Sequence, residues 1–421
     1  MNERSVSVNG ISIYSLTNPN LRSFCLSLYV RAGSIFEDLS NNGISHLFEH
    51  VVFRNIKNKY ENFYELLAMH GLCFQGSTYK KFVSFTIDGP QHEFDFAIEI
   101  LCGLFDEIKL TSHDFNNEKG RIKAEIREKD RRSSLDFYFD SIVWKNSEVE
   151  KIVLGYCKTV DRVSVKKINE FRQKVLSAGN CFIYATGNIS DKNLDALNKK
   201  ISELDISQSN PGFTNTVTVN NDFFHREKKI WIKNNYWHYI QIGFDVDCSK
   251  YPGGVYDLLY ALLFNGDKAL VYNYLSEDNP IIYSYDSTFE QYDNVGNINF
   301  SFEVDRNKIE DVFKTVVELL NAAKDGRFNF EANLNYEMFN WELDLDNPDN
   351  LNWNMAYYNH ILKTQSIDYS DEFYGRFRVT KEQIIDAAKY IFRRCNMTVA
   401  VKGDRKKINA EAIEKILESL D

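Results

Sequence analysis

Alternation of apolar and polar residues is the first order visible in the chain. SVSVNGISIYSL and FCLSLYVRAG near the start, and KKIWIKN and YIQIGFDVD in the second half, each place apolar side chains at every second position and predict strands. Helical stretches follow each pair. One of them, SVKKINEFRQKVLSAGNCFIYATGN, combines a Ser164 cap with Ile168, Phe171, Val175 and Leu176 at helical spacing. Asn180 breaks the helix and a strand then runs to Gly187. The same grammar recurs without a gap, Val163 to Asn188 lying over Val379 to Asp404. In the second copy Thr380 caps, Ile384, Ala387, Ile391 and Phe392 form the apolar face, and a strand runs from Met397 to Val401 before Gly403. Two copies, not an array, exclude a solenoid. DISQSNPGFTNTVTVNN, around Asp205 to Asn221, has the composition of a linker. The pattern predicts an α+β protein of two homologous α/β sandwich domains, residues 1–210 and 226–421, joined by a linker at 211–225. Mixed or antiparallel sheets covered by helices are expected in both.

Composition narrows the function classes. The 421 residues are 43% hydrophobic and 26% charged, the make-up of an ordinary globular protein. No segment approaches the roughly 18 apolar residues of a membrane span, and the opening residues lack a charged-then-apolar signal, so neither a span nor export is expected. Seven cysteines, odd in number and never spaced CxxC, predict neither a disulfide framework nor a cysteine metal site, which fits a reducing cytoplasm. A net charge of −10 offers no basic field to a phosphate backbone, which argues against nucleic acid as a partner.

The chemistry is concentrated in GISHLFEHVVF, residues 43–53. On a helix His46 and His50 are four apart and project from one face about a turn from each other, a chelating arrangement. Glu49 edges that face, placed to reach a water on a metal without necessarily binding the metal; HxxEH is an inverted zinc-protease pattern. A catalytic zinc takes three protein ligands and leaves one position open. In FNNEKGRIKAEIREKDRR, Glu118 and Glu125 lie two turns apart on one helical stripe, and spacing alone lets either face the metal. The competing uses are a structural histidine pair and a solvated, charge-rich helix.

These residues resemble the pitrilysin or insulinase family of metallopeptidases, which includes the mitochondrial processing peptidase. GISHLFEHVVF looks like the family's zinc helix. The resemblance implies Glu125 as the third ligand of one zinc per chain, and Glu118 as a carboxylate orienting the site. HGLCFQGSTYKKFVSF resembles the family strand whose edge receives an extended substrate, with Gln75 and Gly76 in place of Asn and Ala and with Ser77 and Thr78 following. The alternative for this stretch is a core strand burying Phe74, Val83 and Phe85. LLFNGDKALVYNYLSEDNPIIYSY resembles the stretch that supplies an Arg and a Tyr to the tetrahedral intermediate. Tyr283 matches the Tyr, and Ser276 stands at the Arg position. The second half carries no HxxEH.

The resemblance implies a zinc peptidase cutting short or unfolded peptides, with Glu49 carrying the proton. Chains of this length in the family form half of a clamshell chamber. That implies a heterodimer with a homologous subunit lacking zinc ligands, or alternatively a homodimer, and a role such as leader-peptide cleavage or maturation of antimicrobial peptides. Two rivals are a non-catalytic structural homologue, and a peptide-binding protein with a structural zinc closed by His70 or Cys73.

Overall fold

In β3 (Ser23–Val30), Phe24, Leu26, Leu28 and Val30 face one side of a sheet while Cys25, Ser27 and Tyr29 face the other. Nearly every residue of this strand is buried, so both faces of its sheet are covered. The computed structural model describes residues 3–132, 134–209, 212–213, 217–227, 229–363 and 377–420; side chains of 130–134 are not described. Part of the expected linker, residues 211 and 214–216, lies outside these.

Six strands form the first sheet: β1 (Arg4–Val8), β2 (Ile11–Thr17), β3, β4 (Cys73–Thr78), β5 (Val83–Pro90) and β6 (Cys181–Gly187), in the order β1-β2-β6-β3-β5-β4. β2 and β6 are parallel, and the other neighbours are antiparallel. The second sheet holds β7 (Ile230–Asn234), β8 (Tyr239–Asp247), β9 (Asp286–Tyr292), β10 (Val295–Glu303) and β11 (Met397–Gly403), in the order β7-β11-β8-β10-β9. Here β7 and β11 are the parallel pair. Apart from β1 the two sheets have one topology, which is the structural form of the internal repeat. The α+β fold of two related sandwiches is therefore as the sequence pattern predicts.

The repeat is also kept in detail. In the first sandwich the helices α1 (Ile44–Lys59), α2 (Phe94–Gly103), α3 (Ser112–Arg132), α4 (Val165–Val175) and α5 (Asp191–Ser202) contribute to one core with the sheet; in the second, α6 (Gly253–Phe264), α7 (Ile309–Lys324), α8 (Lys381–Ile391) and α9 (Ala410–Leu417) do so. Ser164 and Thr380 cap α4 and α8 by accepting from Lys167 N and Gln383 N. Asn180 and Asn396 then donate to the carbonyls of Val175 and Ile391, closing the turn into β6 and β11. Burying Ile384, Ile391 and Phe392 contributes about 1.5–3 kcal/mol each.

The covering of the second sheet face comes from the opposite half of the sequence in each case. One unit gathers Met1–Arg132, Lys151–Thr216 and Leu343–Ile361; the other gathers Ser133–Glu150, Val217–Glu342 and Leu362–Asp421. The helix Pro348–Met355 thus packs on β3 and β6 in the first unit, where Tyr29 donates its hydroxyl to Asn352 at 2.9 Å and Thr186 donates to Pro348 O. The helix Ser134–Val143 packs on β8 and β11 in the second unit. There Arg226 is held in a bidentate pair with Asp245 and also donates to Val143 O at 2.8 Å. The linear division expected at 211–225 is crossed by these two segments. Their amphipathic patterns show that they bury a face, not which sheet receives it. Among the described residues no helix is long and apolar enough to cross a membrane.

Candidate metal and peptidase site

Helix α1 begins where the chain has no room for a side chain. Gly43 has a φ of 94°, and an added Cβ would lie 2.7 Å from Leu154 O and 2.9 Å from Gly155 Cα. The carboxylate of Glu37 then accepts from the Gly43 and Ser45 amides at 2.7 and 2.8 Å and from Asn42 Nδ2 at 2.8 Å. An acid at a helix N-terminus satisfies amides that have no partner within the helix and offsets its dipole. Ile44, Leu47, Phe48, Val51, Val52 and Ile56 recur at helical spacing and are all buried, which fixes the rotation of α1. His46, Glu49 and His50 are left on the flank that meets α3 and β4.

Helix α3 is anchored to α1 by its first turn. Thr111 Oγ1 accepts from the Asp114 amide, and Asp114 in turn receives the Arg54 guanidinium at 2.5 Å. Arg54 sits one turn beyond His50, so this pair holds the two helices side by side at the histidines. Phe115 and Ile122 are buried and turn Glu118 and Glu125 toward α1.

The four side chains meet closely. His46 Nε2 is 3.0 Å and His50 Nε2 3.9 Å from Glu125 Oε2. His50 Nδ1, the other ring nitrogen, is 3.5 Å from Glu118 Oε2. The alternative between Glu118 and Glu125, open on spacing alone, is thus divided between the two nitrogens of one imidazole. Glu118 is only 2% exposed and also stands 3.5 Å from Arg121. Its Oε1 is buried and has no hydrogen-bond partner among the described residues.

Proton energetics follow from this crowding. Burial works against a charged His46, but its hydrogen bonds with Glu125 and Glu49 prevail and raise the imidazole to about 9. The hydrogen bond from His46 holds Glu125 down at about 2 against its partial burial. Glu49 is pushed up by burial, yet His46 and Thr78 together leave it below the usual carboxylate value. The arrangement suits a divalent cation. Ligands about 2.0–2.2 Å from a tetrahedral zinc stand about 3.4 Å from each other, and the observed 3.0 and 3.9 Å bracket that separation. Among the described residues, one ligand atom each from His46, His50 and Glu125 lies within 4.8 Å of the others.

Glu49 stands between His46 and β4, its Oε2 3.5 Å from His46 Nδ1. Its Oε2 accepts from Thr78 Oγ1 at 2.6 Å, and a Cβ on Gly76 would come within 2.9 Å of its Cγ. Gly76 and Thr78 of β4 therefore face α1, while Gln75 and Ser77 alternate to the opposite face. Phe74, Val83 and Phe85 are buried, so β4 and β5 belong to the core as well. β4 is the last strand of its sheet, paired on one side only among the described residues.

Two other candidate residues of the same unit do not join this group. His70 ends the helical turn before Gly71 and engages Glu93 at 2.6 Å, and Cys73 is exposed, so neither joins the three ligands. Tyr283 belongs to the second unit and is 97% exposed, lining a cavity of about 1040 Å³ with Tyr236 and Trp237. Ser276 is half-buried in the turn Asn273–Glu277. The Glu37 cap was not visible in the sequence. An acid upstream of a helix is its one signal there, and the loop that folds it back is not local.

A model described as insulinase (peptidase family M16) matches residues 13–155, the stretch that holds His46, Glu49, His50, Glu118 and Glu125. A second, the peptidase M16 inactive domain, matches residues 162–332. The uncharacterized zinc protease YmxG of Bacillus subtilis is 21% identical over 77% of this chain and 79% of its own length. The β subunit of the yeast mitochondrial-processing peptidase is 23% identical over 44% of this chain, and the match spans 41% of that subunit. In fold, a Helicobacter pylori protease superposes with a TM-score of 0.83 at 17% identity, over 96% of this chain and 99% of that one. A peptidase M16 inactive domain from Pseudomonas fluorescens gives 0.81 at 14% identity, over 96% of this chain and 98% of that one. With both family models matched in sequence order and the site residues inside the first, the chain belongs to the insulinase-like peptidase family M16.

Proposed function

We propose that this protein is a zinc-dependent peptidase acting on short or unfolded peptides, with His46, His50 and Glu125 as ligands of one zinc and Glu49 as the proton carrier. The observation that carries this reading is a division of labour on one helix. His46 and His50 converge with Glu125, while Glu49, between them in sequence, points at β4 and is held there by Thr78.

A zinc bound at these residues supplies an electrophile that lowers the pKa of water and polarises a carbonyl. Glu49, kept ionised by its neighbours, takes the proton of the attacking water and returns it to the departing amine. Glu118 orients His50 through Nδ1, the role commonly taken by carboxylates behind a ligating imidazole. The open edge of β4 offers backbone donors and acceptors to an extended peptide, with Gln75, Gly76, Ser77 and Thr78 beside it. Tyr283 is assigned a hydrogen bond to the negative charge that develops on the carbonyl oxygen. Ser276 has neither the charge nor the reach of the Arg expected beside it, so a homologous subunit without zinc ligands is the partner this reading calls for. Maturation of leader-bearing or antimicrobial peptides in a reducing cytoplasm is the setting that suits it.

A non-catalytic homologue is the second reading, favoured by the match of residues 162–332 to a domain described as inactive. The ligand set lies outside that stretch, which is why we place catalysis first. Incubating the zinc-loaded chain with a mixed peptide pool, alone and with a homologous subunit, tests the choice by mass spectrometry of the products. Cleavage that a chelator abolishes and zinc restores supports the peptidase; full cleavage by the chain alone removes the need for a partner, and none under either condition supports the scaffold.

A further inference from the structure

A peptide strand added to β4 places its side chains alternately on the two faces of the sheet. Those level with Gly76 and Thr78 look toward Glu49. Those level with Gln75 and Ser77 look the other way, where a cavity of about 440 Å³ opens between this face of the sheet and the segment around the helix Pro348–Met355. Every described residue lining it belongs to the first unit.

The lining has one charge sign. Asp344 and Asp349 contribute carboxylates, and among the described residues no Lys, Arg or His lines the cavity. Asp344 is fixed in place, since Asn350 and Asn354 each donate to one of its oxygens at 2.9 Å. Asp349 is exposed, and its negative field reaches Asp88 of β5, whose carboxyl is raised first by burial and then by this charge. One wall is aromatic, with the rings of Tyr79 and Trp353 5.1 Å apart at an angle of 46°. Aromatic faces take the alkyl stem or the guanidinium plane of a basic side chain, and carboxylates take its head.

The geometry points to a specificity subsite: the cavity behind β4 receives an Arg or Lys side chain of the peptide, from a position whose neighbour in the chain faces Glu49. This inference rests on the peptidase reading for the route of the peptide along β4. It adds to that reading a substrate class, peptides with a basic residue next to the position that faces the zinc helix.

Two peptide pools, random except that Arg or its uncharged isostere citrulline is fixed at each of the positions flanking the cleaved bond, test it. Binding is measured by fluorescence anisotropy on the zinc-loaded Glu49→Gln protein and cleavage on the wild type, each repeated in an Asp344→Asn/Asp349→Asn background. The Arg pool is expected to bind and be cleaved about fivefold better than the citrulline pool, and the double substitution to remove the difference. Asp349→Asn alone, at an exposed position, carries the test if the double variant does not fold, and it should reduce the preference. Equal treatment of the two pools by the unsubstituted background, or an Arg preference that survives the substitutions, overturns the subsite. Cleavage without preference sinks the subsite and leaves the peptidase; preferential binding without cleavage sinks the peptidase and leaves the subsite.

Discussion

Thr78 Oγ1 donates a hydrogen bond to Glu49 Oε2 at 2.6 Å, joining the edge strand β4 to the helix that carries the histidines. Hydrogen bonds to a charged group are worth about 1.5–3 kcal/mol. In Thr78→Val the donor is gone while the shape is kept. Burial then acts on Glu49 with less opposition and its pKa rises. Because the base must be ionised to accept a proton, the acid limb of kcat/KM moves to higher pH. Activity at neutral pH falls roughly tenfold, for which a loss of about 1.4 kcal/mol of transition-state stabilisation suffices. Zinc content, measured by atomic absorption, stays at the wild-type level.

Gly76 leaves the space that Glu49 occupies. In Gly76→Ala the new methyl would sit 2.9 Å from Glu49 Cγ and 3.0 Å from Oε1, atoms near the end of a flexible side chain. The side chain can move aside, so the thermal midpoint changes by no more than a few degrees, whereas the base is displaced from its position. Stopped-time assays should show kcat reduced by about tenfold or more with zinc affinity unaltered, since misplacing a reacting group by an ångström is costly. A fall in zinc affinity of the same size would contradict this placement of Glu49.

In the proposed site Glu118 would act on the metal through His50. Glu118→Ala leaves His50 Nδ1 without its carboxylate neighbour at 3.5 Å and opens space in a buried position. Loss of such a partner commonly weakens metal binding about 10- to 100-fold. Competition with a chromophoric chelator measures this, and an unchanged zinc affinity would make Glu118 a purely structural residue.

How much of this was legible in the sequence depends on the range of each interaction. His46, Glu49 and His50 share one helix, so their mutual placement follows from helical geometry. The repeat was legible for the same reason, because the caps at Ser164 and Thr380 and the breaks at Asn180 and Asn396 are local devices. Between Glu118 and Glu125 spacing left a tie, because both lie on one stripe of α3 and only the offset of α3 along α1 decides which ring nitrogen each one meets; the Arg54–Asp114 pair fixes that offset in the fold. The fold of Glu37 back onto the start of α1 is likewise a tertiary matter. So is the exchange of Ser134–Val143 and Pro348–Met355 between the halves, since an apolar stripe does not name its partner. Asp344 and Asp349 are ordinary acids in a polar stretch until that exchange brings them beside β4.

Zinc content and peptide cleavage, measured together on wild type and Glu49→Gln, test the central claim most directly. The account predicts about one zinc per chain in both forms, with cleavage of peptides by the wild type, in the presence of its partner subunit if one is needed, and none by Glu49→Gln. Glu49→Gln retaining wild-type cleavage would contradict the role given to Glu49, and a wild-type chain that binds no zinc would contradict the site itself.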